Sequence, residues 1–176
     1  MYKYRISKYD PQYRDQKGAY CREDWTSYSD IGQIYNGKLF SKDDYIKTET
    51  LYCNAVLNIL KINNVNELVL DNLELNFSCD EMKQMLQSKG LDLSMKAEMA
   101  INSLKNGDKI SISELPLYLK LILRECFWCE LTDAASSKRI GFGFDYYIYL
   151  YSESILSEEL IKIYKQEGLF IEKMCV

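Results

Sequence analysis

The alternation of apolar and polar residues is clearest in residues 139–152, whose sequence is RIGFGFDYYIYLYS. Successive side chains of a β-strand point to opposite faces, so a period of two divides this segment into two sets. The apolar set is predicted to face the core and consists of Phe142, Phe144, Tyr146, Ile148 and Leu150. The other set is predicted to face outward and consists of Asp145, Tyr147, Tyr149 and Tyr151. The pattern therefore predicts one strand with a tyrosine-rich outer face, which another element can cover or a partner can contact.

The rest of the chain shows a mixed order of strand and helix patterns. Ser41 and Ser78 each precede acidic residues and then apolar residues at helical spacing, which is typical of capped helix starts. The apolar parity of residues 67–77 changes at Asn72-Leu73, which predicts a bulge or a kink. In chain order the pattern first predicts a strand over residues 2–9, a long loop over 12–40 that is functional or packed by its own side chains, and a helix from Ser41 to about residue 63. The strand-like segment 67–77 and short helices after Ser78 and Ser94 follow. The last predicted elements outside 126–151 are an extended piece over 109–112, a helix capped by Ser113-Glu114, a helix after Ser157 and a closing strand over 169–174.

Residues 126–132 (CFWCELT) are predicted to pair with the tyrosine-rich strand across a short loop, which gives an antiparallel hairpin over 126–151. No internal repeat or low-complexity linker interrupts the 176 residues, and this length is typical of one domain. Adjacent antiparallel strands favour an α+β fold over a doubly wound sheet. The sequence therefore predicts a single α+β domain over 1–176, with a mainly antiparallel sheet and helices packed mainly on one of its faces.

The chain contains no histidine. Histidine is the side chain best suited to proton transfer near neutral pH and the commonest metal ligand. Its absence excludes the usual forms of Ser-His-Asp and Cys-His hydrolases and of histidine-ligated zinc enzymes. The sequence therefore predicts a protein that is not an enzyme, with no catalytic residues, no cofactor and no metal site.

Two short motifs have ordinary structural explanations. Cys126 and Cys129 have the spacing of a redox or zinc motif, but there is no following helix to lower a thiol pKa and no second ligand pair, so ordinary cysteines are predicted. Gly141 and Gly143 lie inside a strand pattern with no helix after them, so a phosphate cradle is not predicted. Glycine at such positions lets a bulky neighbour pack across the strand.

Charge is distributed unevenly along the chain. Residues 1–22 carry a net charge of +4 and the remainder carries −8. An acidic body argues against a general nucleic-acid binder and is compatible with a basic partner. No signal-peptide pattern and no run of 18 apolar residues are present, so a cytoplasmic location without membrane insertion is expected.

Two clusters are candidates for contacts. Asp24-Trp25-Thr26-Ser27 and Asp30 place an aromatic ring, hydroxyls and carboxylates within one loop, which indicates either a loop anchored by Trp25 with Asx and Ser/Thr turns, or a contact surface or cation site. The basic, tyrosine-interleaved N-terminus is explained either by a lysine-protected strand edge or by single-stranded nucleic-acid binding.

Two parts of the chain carry a family resemblance: YRISKYDPQYRD with DWTSYSDIG near the start, and LRECFWCEL, GFGFDYYIYLYS and GLFIE near the end. Together they resemble small bacterial cytosolic proteins that recur among the immunity-type proteins of polymorphic toxin systems. Many such relatives have a histidine before the Gly-Phe-Asp-Tyr-Tyr run, where this chain has Ile140-Gly141-Phe142. The resemblance implies a protein that sequesters a toxin, and it assigns no functional residue.

The leading hypothesis is a non-catalytic cytosolic interaction module, most concretely an immunity protein that neutralises a basic toxin partner. Its candidate contacts are aromatic anchors ringed by carboxylates, namely Asp24, Trp25, Asp30, Tyr147, Tyr149 and Tyr151. One alternative is a small-ligand binder or histidine-free enzyme with a tyrosine-lined pocket near Asp145. The other is single-stranded nucleic-acid binding through the basic N-terminal segment, which the acidic body disfavours.

Overall fold

The computed structural model of the chain describes residues 1–133, 135 and 138–174. Its strands in these residues are β1 (Tyr2–Ser7), β2 (Ile34–Tyr35), β3 (Lys38–Leu39), β4 (Glu67–Glu74), β5 (Lys109–Ser111), β6 (Trp128–Thr132), β7 (Arg139–Gly143), β8 (Tyr147–Ser152) and β9 (Phe170–Met174). Its helices are α1 (Lys42–Ile62), α2 (Cys79–Ser88), α3 (Met95–Ser103), α4 (Leu115–Leu123) and α5 (Glu158–Gln166). Seven strands form one antiparallel sheet in the order β5-β4-β6-β7-β8-β1-β9. The predicted α+β fold class is confirmed.

The sheet has one buried face and one half-exposed face. Alternate residues along its central strands are buried, among them Tyr4, Ile6, Leu68, Leu70, Cys129, Leu131, Ile140, Ile148 and Leu150. The residues between them are only partly buried, among them Lys3, Arg5, Glu130, Arg139, Tyr147, Tyr149 and Tyr151. This alternation is what a strand with one face on the core produces. The predicted outward position of the three tyrosines is confirmed.

Residues 139–152 are not one strand, and this prediction is wrong. β7 ends at Gly143, the chain turns at Phe144, Asp145 and Tyr146, and β8 returns antiparallel to β7. Asp145 and Tyr146 have φ values of 59° and 66°. Positive φ at two consecutive residues is typical of the tight turn that joins the strands of a hairpin. The predicted hairpin over 126–151 is therefore a three-stranded meander.

The register explains why the alternation concealed this turn. Phe142 lies opposite Ile148 and Gly143 opposite Tyr147, so the pairing is symmetric about Asp145. Paired residues then have the same odd or even parity, and the apolar positions continue with period two through the turn. The exception is Phe144, which was predicted to be core and is 93% exposed.

The predicted kink and most helix starts are confirmed. The register of β4 shifts between Asp71 and Glu74, and Asn72 has a φ of 53°. Ser41 and Ser78 form capping boxes at the starts of α1 and α2. Ser113 does not cap α4, whose N-cap is Glu114 without a side-chain bond.

The predicted long loop is folded on itself. Two short 3-10 turns and the β2–β3 hairpin occupy the segment between β1 and α1, and the ring of Trp25 stacks on Phe40 at 4.4 Å between centroids. Trp25 also meets Tyr45 of α1 edge-on at 5.8 Å. The loop is thus packed against α1 by its own aromatic residues. Within the described part of the chain, no helix has the length and apolar character needed to cross a membrane.

Candidate functional site

Trp25 is a packing residue of the core in this structure. Only 8% of it is exposed, and its ring contacts Tyr146 edge-on at 5.0 Å in addition to Phe40 and Tyr45. A ring enclosed on these sides holds the loop in place and is not offered to a partner. Trp25 is therefore not part of the contact surface proposed below.

Asp24 and Asp30 also have partners within the chain. Asp24 Oδ2 lies 2.9 Å from Lys8 Nζ, and its Oδ1 accepts a hydrogen bond from the backbone N–H of Trp25. Asp30 Oδ2 accepts from the backbone N–H of Thr26 at 2.7 Å and closes a capping box with Ser27. These bonds, with the bond from the backbone N–H of Ser29 to Ser27 Oγ, hold the loop together, as the simpler sequence interpretation of a loop anchored by Trp25 predicts.

Lys8 is buried beside these carboxylates. Its ammonium lies 4.0 Å from the ring centre of Tyr9 and 4.2 Å from that of Trp25. Burial lowers the pKa of Lys8 to about 8, although Asp24 opposes this effect. A cavity of about 510 Å³ adjoins Lys8, and its lining mixes cationic with anionic side chains. Such a lining gives no preference for one sign of charge.

The three outward tyrosines are surrounded by cations, whereas the sequence analysis predicted carboxylates around them. Lys3 Nζ lies 4.8 Å from the ring centre of Tyr149 and 5.4 Å from that of Tyr151. The guanidinium of Arg139 lies 4.3 Å from the ring centre of Tyr151. We call this surface the cationic tyrosine face, and it comprises Lys3, Arg5, Arg14, Arg139, Tyr147, Tyr149 and Tyr151.

A groove at the β7–β8 turn contains the more distinctive arrangement. Its volume is about 640 Å³, and segments from the end of β4, the α4–β6 corner and the β7–β8 turn meet there. Its aromatic lining includes Phe77, Phe127, Trp128, Phe142, Phe144 and Tyr146, and its acidic residues are Glu74, Glu125 and Asp145. We call this site the turn groove.

Two aromatic residues of the turn groove are unusually exposed, whereas Phe127, Phe142 and Tyr146 are buried. Phe144 is 93% exposed and Phe77 is 43% exposed, although burial of a phenylalanine side chain is worth about 1.5–3 kcal/mol. Trp128 is half-buried and its indole N–H donates to the carbonyl of Phe142 at 2.8 Å. Rings held at a groove rim in this way are available to a partner.

The acidic residues of the turn groove have no ion-pair partner in the part of the chain that the structure describes. Among the residues that the structure describes, no lysine or arginine forms an ion pair with Glu74, Glu125 or Asp145. Burial, and to a lesser extent the charge of Asp30, raises the pKa of Glu125. Three carboxyl groups around an aromatic groove favour a cationic ligand, because both carboxylates and ring faces attract positive charge.

Backbone strain is concentrated at the same groove. Six non-glycine residues of the described chain have positive φ, and three of them are asparagines, which tolerate this conformation. The other three are Glu125 (55°), Asp145 (59°) and Tyr146 (66°), and all three line the turn groove. Aspartate also tolerates positive φ, so the strained residues are Glu125 and Tyr146. Such residues cost about 1–3 kcal/mol each, and they cluster at functional sites.

A buried ion pair supports the wall of the groove at Glu125. Arg124 Nε and Nη2 donate to the two carboxylate oxygens of Glu49 at 2.7 and 2.8 Å, and Glu49 is fully buried in α1. Arg124 Nη1 also donates to the carbonyl of Asp92. This two-point contact fixes the residue next to Glu125 and therefore the corner from α4 to β6.

Other sequence motifs have structural explanations. Cys126 and Cys129 are buried, and burial raises the pKa of each thiol to about 12, as expected for unreactive cysteines. No group of three potential metal ligands occurs among the described residues. A Cβ on Gly143 would lie 2.8 Å from the Tyr149 ring, which confirms the predicted close packing there, whereas a Cβ on Gly141 would meet nothing within 4 Å.

The sequence analysis missed most of the turn groove. Glu74, Phe77 and Glu125 carry no motif, and Phe144 was assigned to the core. Asp145 was assigned to the outer face of a strand, but it lies in the β7–β8 turn. The one available signal was an acidic residue between aromatic residues in a strand pattern, because aspartate is enriched in tight turns.

No protein-family model, curated protein or solved structure matches this chain. The function is therefore inferred from the geometry of these residues.

Proposed function

We propose that this protein is a non-catalytic interaction module that acts in the cytoplasm and binds a basic protein partner in the turn groove. The observation that carries the proposal is the coincidence in one groove of two exposed phenylalanine rings, three carboxyl groups without an ion-pair partner among the described residues, and two strained backbone residues. The resemblance to immunity-type proteins makes a toxin the most concrete partner.

The chemistry of the groove specifies what the partner must present. An apolar or aromatic side chain would fill the space beside Phe144 and Phe77, and a lysine or arginine would lie near Glu125 and Asp145. The body of the chain has a net charge of −8, so a basic partner would also be steered toward it. Strained turns that are held by the fold present these groups in a fixed arrangement before binding.

The tyrosine-lined pocket of the alternative hypothesis has less support. It requires Asp145 and the neighbouring tyrosines to line one cavity. Asp145 lines the turn groove with Tyr146 and Tyr147, but Tyr149 and Tyr151 lie beside Lys3 and Arg139 on the cationic tyrosine face, so the tyrosines do not converge in one cavity. The interaction module therefore remains the function that the geometry favours.

The test begins with affinity capture from the native host at low and moderate salt, followed by purification of each enriched basic protein. Binding of the purified partner is then measured by calorimetry against the wild type, Phe144→Ala, and a triple variant with Glu74→Gln, Glu125→Gln and Asp145→Asn. We expect each variant to bind at least tenfold more weakly, as for central interface residues. Asn at position 145 keeps a residue that tolerates positive φ.

Two matched controls separate the groove from general effects of charge and apolarity. Asp43→Asn, Glu158→Gln and Glu159→Gln together remove the same charge from exposed helix starts. Met99→Ala removes an exposed apolar side chain that is 67% accessible. Equal affinities for the groove variants and their controls would overturn the proposal.

A further inference from the structure

The cationic tyrosine face is a second surface, built on residues that the proposed function does not use apart from Tyr147 at its edge. β8 supplies Tyr147, Tyr149 and Tyr151 at alternate positions of one strand, so their rings form a row along the outer side of the sheet. The rings of Tyr147 and Tyr149 lie 6.3 Å apart with an interplanar angle of 31°. The N-terminal strand β1 pairs with β8 and brings Lys3 opposite Tyr151 and Arg5 opposite Tyr149.

The cations of this face differ in how firmly they are held. Arg5 donates two hydrogen bonds to Glu172, and Arg14 lies 3.6 Å from the same carboxylate. Arg14 also donates to the hydroxyl of Tyr147 at 3.2 Å. Their charge is partly neutralised by Glu172, so these two arginines chiefly position the row at Tyr147.

Lys3 and Arg139 are the cations available to a ligand. Among the described residues no carboxylate forms an ion pair with Lys3. The contact of Arg139 with Glu130 is 3.6 Å long, and 41% of the arginine side chain is exposed. Both flank Tyr151; burial acts to raise the pKa of its hydroxyl, but the hydrogen bonds and charges of Lys3 and Arg139 outweigh burial and lower this pKa. The face therefore carries four cations against Glu130 and Glu172, which leaves local positive charge on an acidic protein.

We infer that the cationic tyrosine face binds single-stranded nucleic acid. A row of tyrosine rings on an open sheet can stack against unpaired bases, and Lys3 and Arg139 beside the row can contact the phosphates. A duplex hides its base faces and would leave the row unused. An acidic protein would satisfy the two cations but would not require the three rings.

The test measures fluorescence anisotropy of a labelled twelve-nucleotide poly(U) RNA and a poly(dT) DNA with the intact protein between 50 and 200 mM salt. With two phosphate contacts, the logarithm of the affinity should fall with the logarithm of salt with a slope of about −1.4. The reversal Lys3→Glu with Arg139→Glu should weaken binding at least tenfold. Tyr149→Leu should weaken it at least threefold without changing the salt slope, because stacking is lost and the phosphate contacts remain.

The matched control is Lys96→Glu with Lys162→Glu, which changes the net charge equally at exposed positions on α3 and α5. Circular dichroism and thermal unfolding establish that each variant is folded.

The inference is overturned if the wild type does not bind either oligonucleotide at 50 mM salt, or if the control loses as much affinity as the reversal. It is also overturned if Tyr149→Leu has no effect, or if poly-glutamate competes as well as unlabelled poly(U), since either result identifies a general anion-binding patch. The turn-groove variants should bind the oligonucleotides like the wild type, so the two proposals can fail separately.

Discussion

The turn groove and the cationic tyrosine face are both aromatic surfaces on the same sheet, but they differ in charge and in backbone. The groove combines phenylalanine and tryptophan with carboxyl groups that form no ion pair with any described residue, on turns with positive φ. The face combines tyrosine with lysine and arginine on regular strands. A regular strand fixes side chains at little cost, whereas the groove depends on strain and on supporting contacts. We therefore expect substitutions to disrupt the turn groove more easily than the cationic tyrosine face.

The largest expected effect tests the support of the groove. Glu49→Ala leaves Arg124 without its carboxylate partner, and breaking a buried ion pair costs about 3–5 kcal/mol. We expect urea denaturation to show a loss of this size, together with weaker binding of the basic partner. Glu49→Gln keeps one acceptor and should lose less. If Glu49→Ala unfolded at the same urea concentration as the wild type, the ion pair would not be the support that we describe.

The next effect tests whether strain at Glu125 serves binding rather than stability. Glycine adopts positive φ without the side-chain penalty, so Glu125→Gly should raise the free energy of unfolding by about 1 kcal/mol. The same change removes a carboxylate from the groove and should weaken binding of the basic partner. Chemical denaturation measures the change in stability, and calorimetry on the same preparation measures the change in affinity for the basic partner. A variant that was both less stable and unchanged in binding would show that Glu125 has neither role.

Two glycine substitutions test whether the packing of Tyr149 organises the cationic tyrosine face. Gly143→Ala would place its Cβ 2.8 Å from the Tyr149 ring, so the ring must move, and we expect a loss of about 1 kcal/mol with weaker oligonucleotide binding. Gly141→Ala meets nothing within 4 Å and should be neutral or slightly stabilising. Thermal unfolding and anisotropy of the two variants check this. Equal behaviour of the two would mean that packing of Tyr149 does not organise the face.

The same contrast explains how much could be predicted from the sequence. The tyrosine row follows from period two within β8, because neighbours along one strand are also neighbours in space. Its cations could not be predicted, since pairing of β1 and β7 with β8 brings Lys3 and Arg139 to Tyr151. Capped helices and the kink at Asn72 are local features, and they were predicted for the same reason.

The turn groove could not be predicted, because its parts come from separate turns. Glu74, Glu125 and Phe144 are distant in sequence and meet only where β4, the α4–β6 corner and the β7–β8 turn converge. The symmetric register about Asp145 also preserved the alternation, so the pattern placed Phe144 in the core. An acidic residue within an aromatic strand pattern can therefore indicate a turn that the period does not reveal.

The smallest expected effect is a pH dependence confined to the groove. Burial raises the pKa of Glu125 above the ordinary glutamate value of 4.5, so the folded protein takes up this proton at a higher pH than the unfolded chain does. The contribution of Glu125 to stability is therefore favourable below 4.5 and is lost as the pH rises through the raised pKa. Binding of the basic partner should change in the opposite direction, because protonation removes a negative charge from the groove. Urea denaturation and calorimetry across this pH range measure the two trends, and Glu125→Gln should reduce both. Oligonucleotide binding should be the same in both proteins, because the Tyr151 end of the cationic tyrosine face is distant from Glu125. If the variant followed the wild type at every pH, the carboxyl group of Glu125 would contribute neither to the pH dependence of stability nor to that of partner binding.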